Sequence, residues 1–190
     1  MKRGMLACTL ALFAAVVTFA QNDTRAGDSF WLDIYATADG AEKRLRIVEE
    51  MVAEADRADS LVQSGDWDAV LGDLLSRWNN LPDGNDRYNL QQALRLVLAE
   101  IRELGATEQG RQVVILARAA SDPHLKGEAI LTLGAVGYQE GAEMIAEELQ
   151  RIIRAPQSDS LADEVVAHSC IVSLARFRTE ESIAALSAAG

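Results

Sequence analysis

The chain has 190 residues, enough for one domain or a short stack of repeats, and it carries 29 Asp and Glu against 18 Lys and Arg, a net charge of −11. So acidic a surface repels phosphate backbones and anionic headgroups, which argues against nucleic-acid and membrane-surface partners and leaves a protein partner, weakly favoured to be basic. Three prolines, 5% aromatics and a composition rich in Ala, Leu, Glu and Arg predict helices and few strands.

In chain order, the first element is a leader. Lys2 and Arg3 precede an uncharged apolar run from Met5 to Phe19, and Thr18-Phe19-Ala20 offers a small-x-small cleavage site before Gln21. Residues 1–20 therefore read as a secretory signal peptide, too short in its apolar part for a comfortable membrane span, and the protein is expected to be exported, periplasmic or secreted. Cys8 lies near the start of the apolar run, so Leu6-Ala7-Cys8 does not have the placement of a lipidation site. Cleavage would leave 16 basic against 29 acidic residues, a charge of −13, with Cys170 as the one remaining cysteine. No internal disulfide is then possible, and the apolar helical setting of Cys170 predicts burial. Asn22-Asp23-Thr24 is a formal glycosylation sequon, relevant only in a eukaryotic secretory pathway.

Residues 21–85 form an N-terminal helical region, a divergent repeat or a cap. It opens with a short helix carrying Phe30, Trp31 and Tyr35; Trp31 reads as a cap over the first repeat, with an exposed anchor for a partner as the alternative. Leu45, Val48, Val52 and Ala55 then step by threes and fours, and Trp67, Leu71, Leu74 and Trp78 do so along the next helix. Ser64-Gly65-Asp66 is expected to stop one helix and cap the other, and Leu81 to Asp86 is a turn cluster with a new helix beginning near Asp86. Stripes at Leu90–Leu104, Val113–Ala120, Leu125–Val136, Ala142–Ile152 and Val166–Phe177 follow, about nine helices in all after the leader.

Residues 86–190 repeat. Leu125 to Val136 aligns without a gap on Val166 to Phe177 at an offset of 41, and Leu90 to Ile101 aligns on Leu125 to Val136 at an offset of 35. Ala99, Gly134 and Ala175 share one equivalent position, small where one helix must approach another closely. Residues 117–149 resemble a HEAT repeat of the phycobilisome-lyase HEAT-like or armadillo type: Asp122-Pro123 supplies the turn, Lys126 the basic residue, Ala129 and Leu133-Gly134 the packing positions, and Gly137 the helix end. The resemblance implies an all-α fold, a right-handed alpha-alpha superhelix (a HEAT-like solenoid) of antiparallel helix pairs, and a binding mode without a reaction. The sequence departs from the pattern at Ala120, where the family has an interior Asp, and at Ala167, where the third unit lacks a counterpart of Lys126. Packing between repeats is accordingly expected to be mostly apolar. The last stretch, Thr179 to Gly190, reads as one more helix with Ile183 and Leu186 facing inward; either it caps the stack alone or the chain is part of a longer one.

No catalytic constellation emerges. His124 and His168 lack ligand spacing, His168 and Cys170 point to different sides of a helix, and Glu164 with His168 reads as a surface pair. Asp83-Gly84-Asn85-Asp86 lacks the alternating ligands and closing Glu of a calcium loop and reads as a capping turn. There is no glycine-rich phosphate loop and no nucleophile elbow, so neither a metal nor a cofactor is expected. Glu140, Glu143, Glu147 and Glu148 line the polar side of one helix, and Glu49, Glu50, Glu54, Asp56 and Asp59 that of another; these read first as solvated faces, with one stacked acidic stripe for a basic partner as the alternative. The function expected is an exported scaffold for protein–protein interaction, with Trp31, Glu140, Glu143 and Glu147 as candidate contacts. The alternative is an accessory subunit or non-catalytic fragment of a larger enzyme.

Overall fold

The computed structural model describes residues 29–154 and 160–189, so the leader, Cys8 and the Asn22 sequon lie outside the described residues. Among those described there is no strand, and nine helices follow one another: α1 (Phe30–Ala36), α2 (Ala41–Ala55), α3 (Ser64–Asn80), α4 (Asn85–Leu104), α5 (Gly110–Ala119), α6 (Pro123–Val136), α7 (Gln139–Arg154), α8 (Ser160–Phe177) and α9 (Glu180–Ala189).

Capping chemistry sets the boundaries. The Ser29 hydroxyl accepts from the Leu32 amide at 3.4 Å, and the Asp122 carboxylate accepts from the Leu125 amide at 2.7 Å with Pro123 opening α6. Each satisfies a first-turn donor that the helix itself cannot. At Ser64-Gly65-Asp66 the expectation needs correcting: α2 has already ended at Ala55, and Asp66 lies inside α3, where its carboxylate accepts from the Gln63 amide at 2.9 Å. Asp66 is the inner half of a capping box, and the helix begins two residues before it.

The helices pack in two rows. α2 lies against α4, α4 against α6 and α6 against α8; α3 lies against α5, α5 against α7 and α7 against α9. Contacts of α3 with α4, α5 with α6, α7 with α8 and α8 with α9 join the rows. One apolar core runs through them from Trp31 to Ala185. The position in a row explains the burial pattern. α6, flanked by α4 and α8 and faced by α5 and α7, is buried on most sides, at Leu125, Gly127, Ala129, Ile130, Thr132, Leu133, Gly134 and Val136. α7 buries one face, Ala142, Ile145, Leu149 and Ile152 among it, and leaves Glu140, Glu143 and Glu147 outside.

The gapless match between α6 and α8 has structural counterparts. Both lie in the same row, and both end on a left-handed residue, Gly137 (φ 70°) and, 41 positions later, Arg178 (φ 54°). Glycine takes that conformation freely; arginine does so at a cost. The equivalent hydroxyls of Thr132 and Ser173 point back along the row: Ser173 Oγ donates to the Ile130 carbonyl at 2.9 Å, and Thr132 Oγ1, which donates to its own Glu128 carbonyl at 2.8 Å, lies 3.4 Å from that of Leu98. Gly134 permits the closest approach, since a Cβ there would fall 2.6 Å from Ser173 Cβ and 2.7 Å from its Cα.

At the other end, α1 is tied down by a polar clamp. Asp73 of α3 accepts from the Tyr35 hydroxyl (3.0 Å), from Arg44 Nε (3.1 Å) and from Arg77 Nε (2.8 and 2.9 Å). Burial pushes the Asp73 carboxyl up, but the hydrogen bonds from Arg77, Tyr35 and Arg44 outweigh it and hold it below the ordinary aspartate range.

Candidate functional site

The candidate contacts fall into two environments. Trp31 is only 8% exposed, packed edge-on against Phe30 within the core, so most of its surface is spent on α1 and its neighbours, and little is left to offer a partner. Glu140, Glu143 and Glu147 are exposed along one face of α7, three and four residues apart.

The neighbouring helix in the row changes the character of that face. α5 turns Arg111, Ile115 and Arg118 outward, at the same three-and-four spacing. Between α5 and α7 lies a groove of about 320 Å³, lined by the apolar Ala117, Ile130 and Met144 and by the charged Arg118, Lys126, Glu147, Glu148 and Arg151. At its far end Tyr138 bridges the two helices: its ring covers Gly110, where a Cβ would fall 2.2 Å from a ring carbon, and its hydroxyl donates to Glu140 at 2.7 Å. Among the described residues no ion pair joins Arg111 or Arg118 to Glu140, Glu143 or Glu147. Arg118 and Glu147 thus stand exposed at the groove, and Arg111, Glu140 and Glu143 are exposed elsewhere on the same two helices.

The other charges that line the groove are paired. Glu148 accepts from Lys126 Nζ at 3.2 Å and from Arg151 Nε and Nη2, each at 3.0 Å, and Arg151 Nη2 reaches Asp163 of α8 at 3.5 Å. Arg102 of α4 pairs with Glu128 of α6 at 2.7 Å. Burial raises the Glu148 carboxyl, but Arg151 and Lys126 overcompensate, and it titrates below the ordinary glutamate range. Packing between successive helices is mostly apolar, as expected, and these links add to it. The interior Asp is missing at Ala120, yet α4 to α6, α6 to α7 and α7 to α8 are each bridged by an ion pair built from other positions.

The acidic stripe also needs correcting. Glu49 and Glu50 belong to α2 and Glu140, Glu143 and Glu147 to α7, which lie in different rows, so they do not merge into one surface. Arg111 and Arg118 were missed by reading the acids alone. Their signal was present, because a two-row repeat places every second helix side by side and α5 is the second helix before α7.

The remaining candidates are placed as follows. His168 is exposed and Cys170 fully buried, on opposite sides of α8; burial first, then the charge of Glu148, pushes the Cys170 thiol up to about 12, so it stays protonated and inert at neutral pH. Glu164 and His168 are both exposed, and no hydrogen bond or ion pair joins them. Asp83 sits 3.5 Å from Arg87, whose guanidinium lies 4.6 Å over the Trp78 ring and donates to the Leu81 carbonyl, so the turn closes α3 onto α4. Among the described residues no three His, Cys, Asp or Glu side chains come together as metal ligands, and no helix is long and apolar enough to cross a membrane.

The chain matches no protein-family model, no curated protein and no solved structure. Its function is therefore argued from its own geometry.

Proposed function

We propose that this chain is an exported, non-catalytic scaffold, a HEAT-like right-handed α-solenoid that holds a partner protein against the α5/α7 face. The observation that carries the reading is the groove between α5 and α7, where Arg118 and Glu147 stand exposed beside the paired Lys126, Glu148 and Arg151, with Arg111, Glu140 and Glu143 exposed elsewhere on the same two helices. A stable fold has no need to expose charges of both signs on two adjacent helix faces without ion pairs between them, whereas a recognition surface uses such charges to steer and orient what binds. The partner that fits presents basic groups to α7 and acidic groups to α5, with a small apolar side chain between them. The two-row packing supports the solenoid reading, since it fixes adjacent helix faces in a rigid register.

The test is crosslinking in the native envelope followed by identification of captured proteins. Reversing Glu140, Glu143 and Glu147 to Lys should abolish capture of the main partner, while reversing Glu42, Glu49 and Glu50 on α2 should leave it intact. Equal capture by both triple variants would reject the α5/α7 face.

A further inference from the structure

On α6, Gly127, Ile130 and Gly134 form the seat on which α8 rests: all three are buried, with Ser169 over Gly127 and Ser173 over Gly134. Forty-one residues later the same positions on α8 are His168, Ile171 and Ala175, and all three are exposed, Ile171 to 42%. Leu161 and Glu164 extend this face toward the start of the helix, Leu161 being 68% exposed. Leu161, Glu164, His168, Ile171 and Ala175 are spaced three, four, three and four apart, the spacing by which one helix presents a continuous seam to another. α9 packs on α7 and α8 with Ser182 and Ala185 inward and leaves Ile183 57% exposed, which overturns the expectation that Ile183 faces the core.

We infer that this face of α8 is the contact through which two copies of the chain pair about a twofold axis. The opposite end of the row decides between this and a head-to-tail array. The outer face of α2 carries Glu42, Lys43, Arg46, Glu49 and Glu50, all exposed. Stacking it on Leu161 and Ile171 would strip water from all five, and Glu49 and Glu50 have no ion-pair partner among the described residues. A twofold contact asks the face to complement itself. Two antiparallel α8 helices centred on His168 set the large Leu161 over the partner's small Ala175, and Ile171 beside the partner's His168. Glu164 falls next to the partner's His168, within reach of an imidazole N–H. The contact is about one helix pair wide, in the class that buries under about 1,200 Å² and assembles reversibly. It is independent of the α5/α7 face, since none of its residues lies on either of those helices.

Sedimentation of the 190-residue chain over a range of concentrations tests it. The expected result is a monomer–dimer equilibrium that Ile171→Glu and, separately, Ala175→Arg weaken at least tenfold while the helical circular dichroism stays unchanged. In a Cys8→Ser background, His168→Cys, at the axis, should yield a disulfide-linked dimer under mild oxidation that the background chain does not form, and the same change at Glu49 should not. A chain that remains monomeric, as it would if a different protein's helix occupied the face, overturns the inference. So does a dimer indifferent to Ile171→Glu and Ala175→Arg, or a His168→Cys variant that does not crosslink.

Discussion

Among the described helices, the α2–α4–α6–α8 row presents charge on its α2 side and, on its α8 side, apolar residues interrupted by Glu164 and His168. Outward from α2 stand Glu42, Lys43, Arg46, Glu49 and Glu50, with Lys43 paired to Asp39 and Arg46 to Glu42, and behind them Asp73 holds Tyr35, Arg44 and Arg77 in one clamp. Outward from α8 stand Leu161, Ile171 and Ala175, in the register of the seat that α6 provides for α8 itself. A helix row can therefore be closed by replacing apolar seat residues with charges that water can solvate, and it stays receptive where the seat residues persist. The contrast separates positions that look alike in sequence, and mutation should separate them further.

The largest effect is expected at Gly134. Leucine there would drive side-chain atoms into the Ser173 backbone, and overpacking of this kind costs about 1–3 kcal/mol or prevents folding. Ala175→Leu, at the equivalent position of the open face, should keep the monomer's stability within about 0.5 kcal/mol by urea titration, as surface changes do. Asp73→Ala comes next. It leaves the buried Arg44 guanidinium without its carboxylate, and losing hydrogen bonds to a charged group costs about 1.5–3 kcal/mol, measurable as a lowered urea midpoint.

A smaller effect, with a distinctive pH signature, is expected at Glu148. Its folded-state pKa is depressed, so the unfolded chain binds the proton more readily as pH falls. The stability it supplies is complete above the ordinary glutamate range and is lost as pH drops through the depressed value. Glu148→Gln should flatten that acid limb in urea titrations between neutral pH and the acid transition, and an unaltered limb would show that the Lys126–Glu148–Arg151 pairing is not felt. The smallest change should be a gain. Arg178 holds the left-handed position that Gly137 holds in the previous unit, and Arg178→Gly should raise stability by a few tenths to about 1 kcal/mol.

Much of this fold was legible in the sequence because helix periodicity and capping are local. Asp122-Pro123 opens α6, Gly137 ends it, and Trp67, Leu71, Leu74 and Trp78 share one buried stripe, as their spacing implies. The gapless match of 125–136 with 166–177 identified helices of the same row. What periodicity could not supply was which side of a helix lacks a neighbour. Ile183 is as apolar as any core residue, but whether it meets another helix depends on what stands beyond α9, and no local rule carries that. Ion pairs such as Lys126–Glu148 were hidden for a related reason: the partners are 22 positions apart, and only the placement of α7 beside α6 joins them. The exposed charges of α5 and α7 were half legible, the glutamates from their density and the arginines only once α5 and α7 are known to be neighbours.

The open face of α8 follows from one register, Ser173 seated over Gly134. The most direct test is a double-mutant cycle of Gly134→Ala and Ser173→Gly, with unfolding free energy as the readout. If α8 sits on α6 as described, trimming Ser173 removes the Cβ and Oγ clashes with the added methyl and leaves only the one with its Cα, so the pair is coupled by about 1 kcal/mol or more in the compensating direction although the double variant stays below the parent. Strictly additive effects would contradict that register, and with it the equivalence of α6 and α8 on which the account rests.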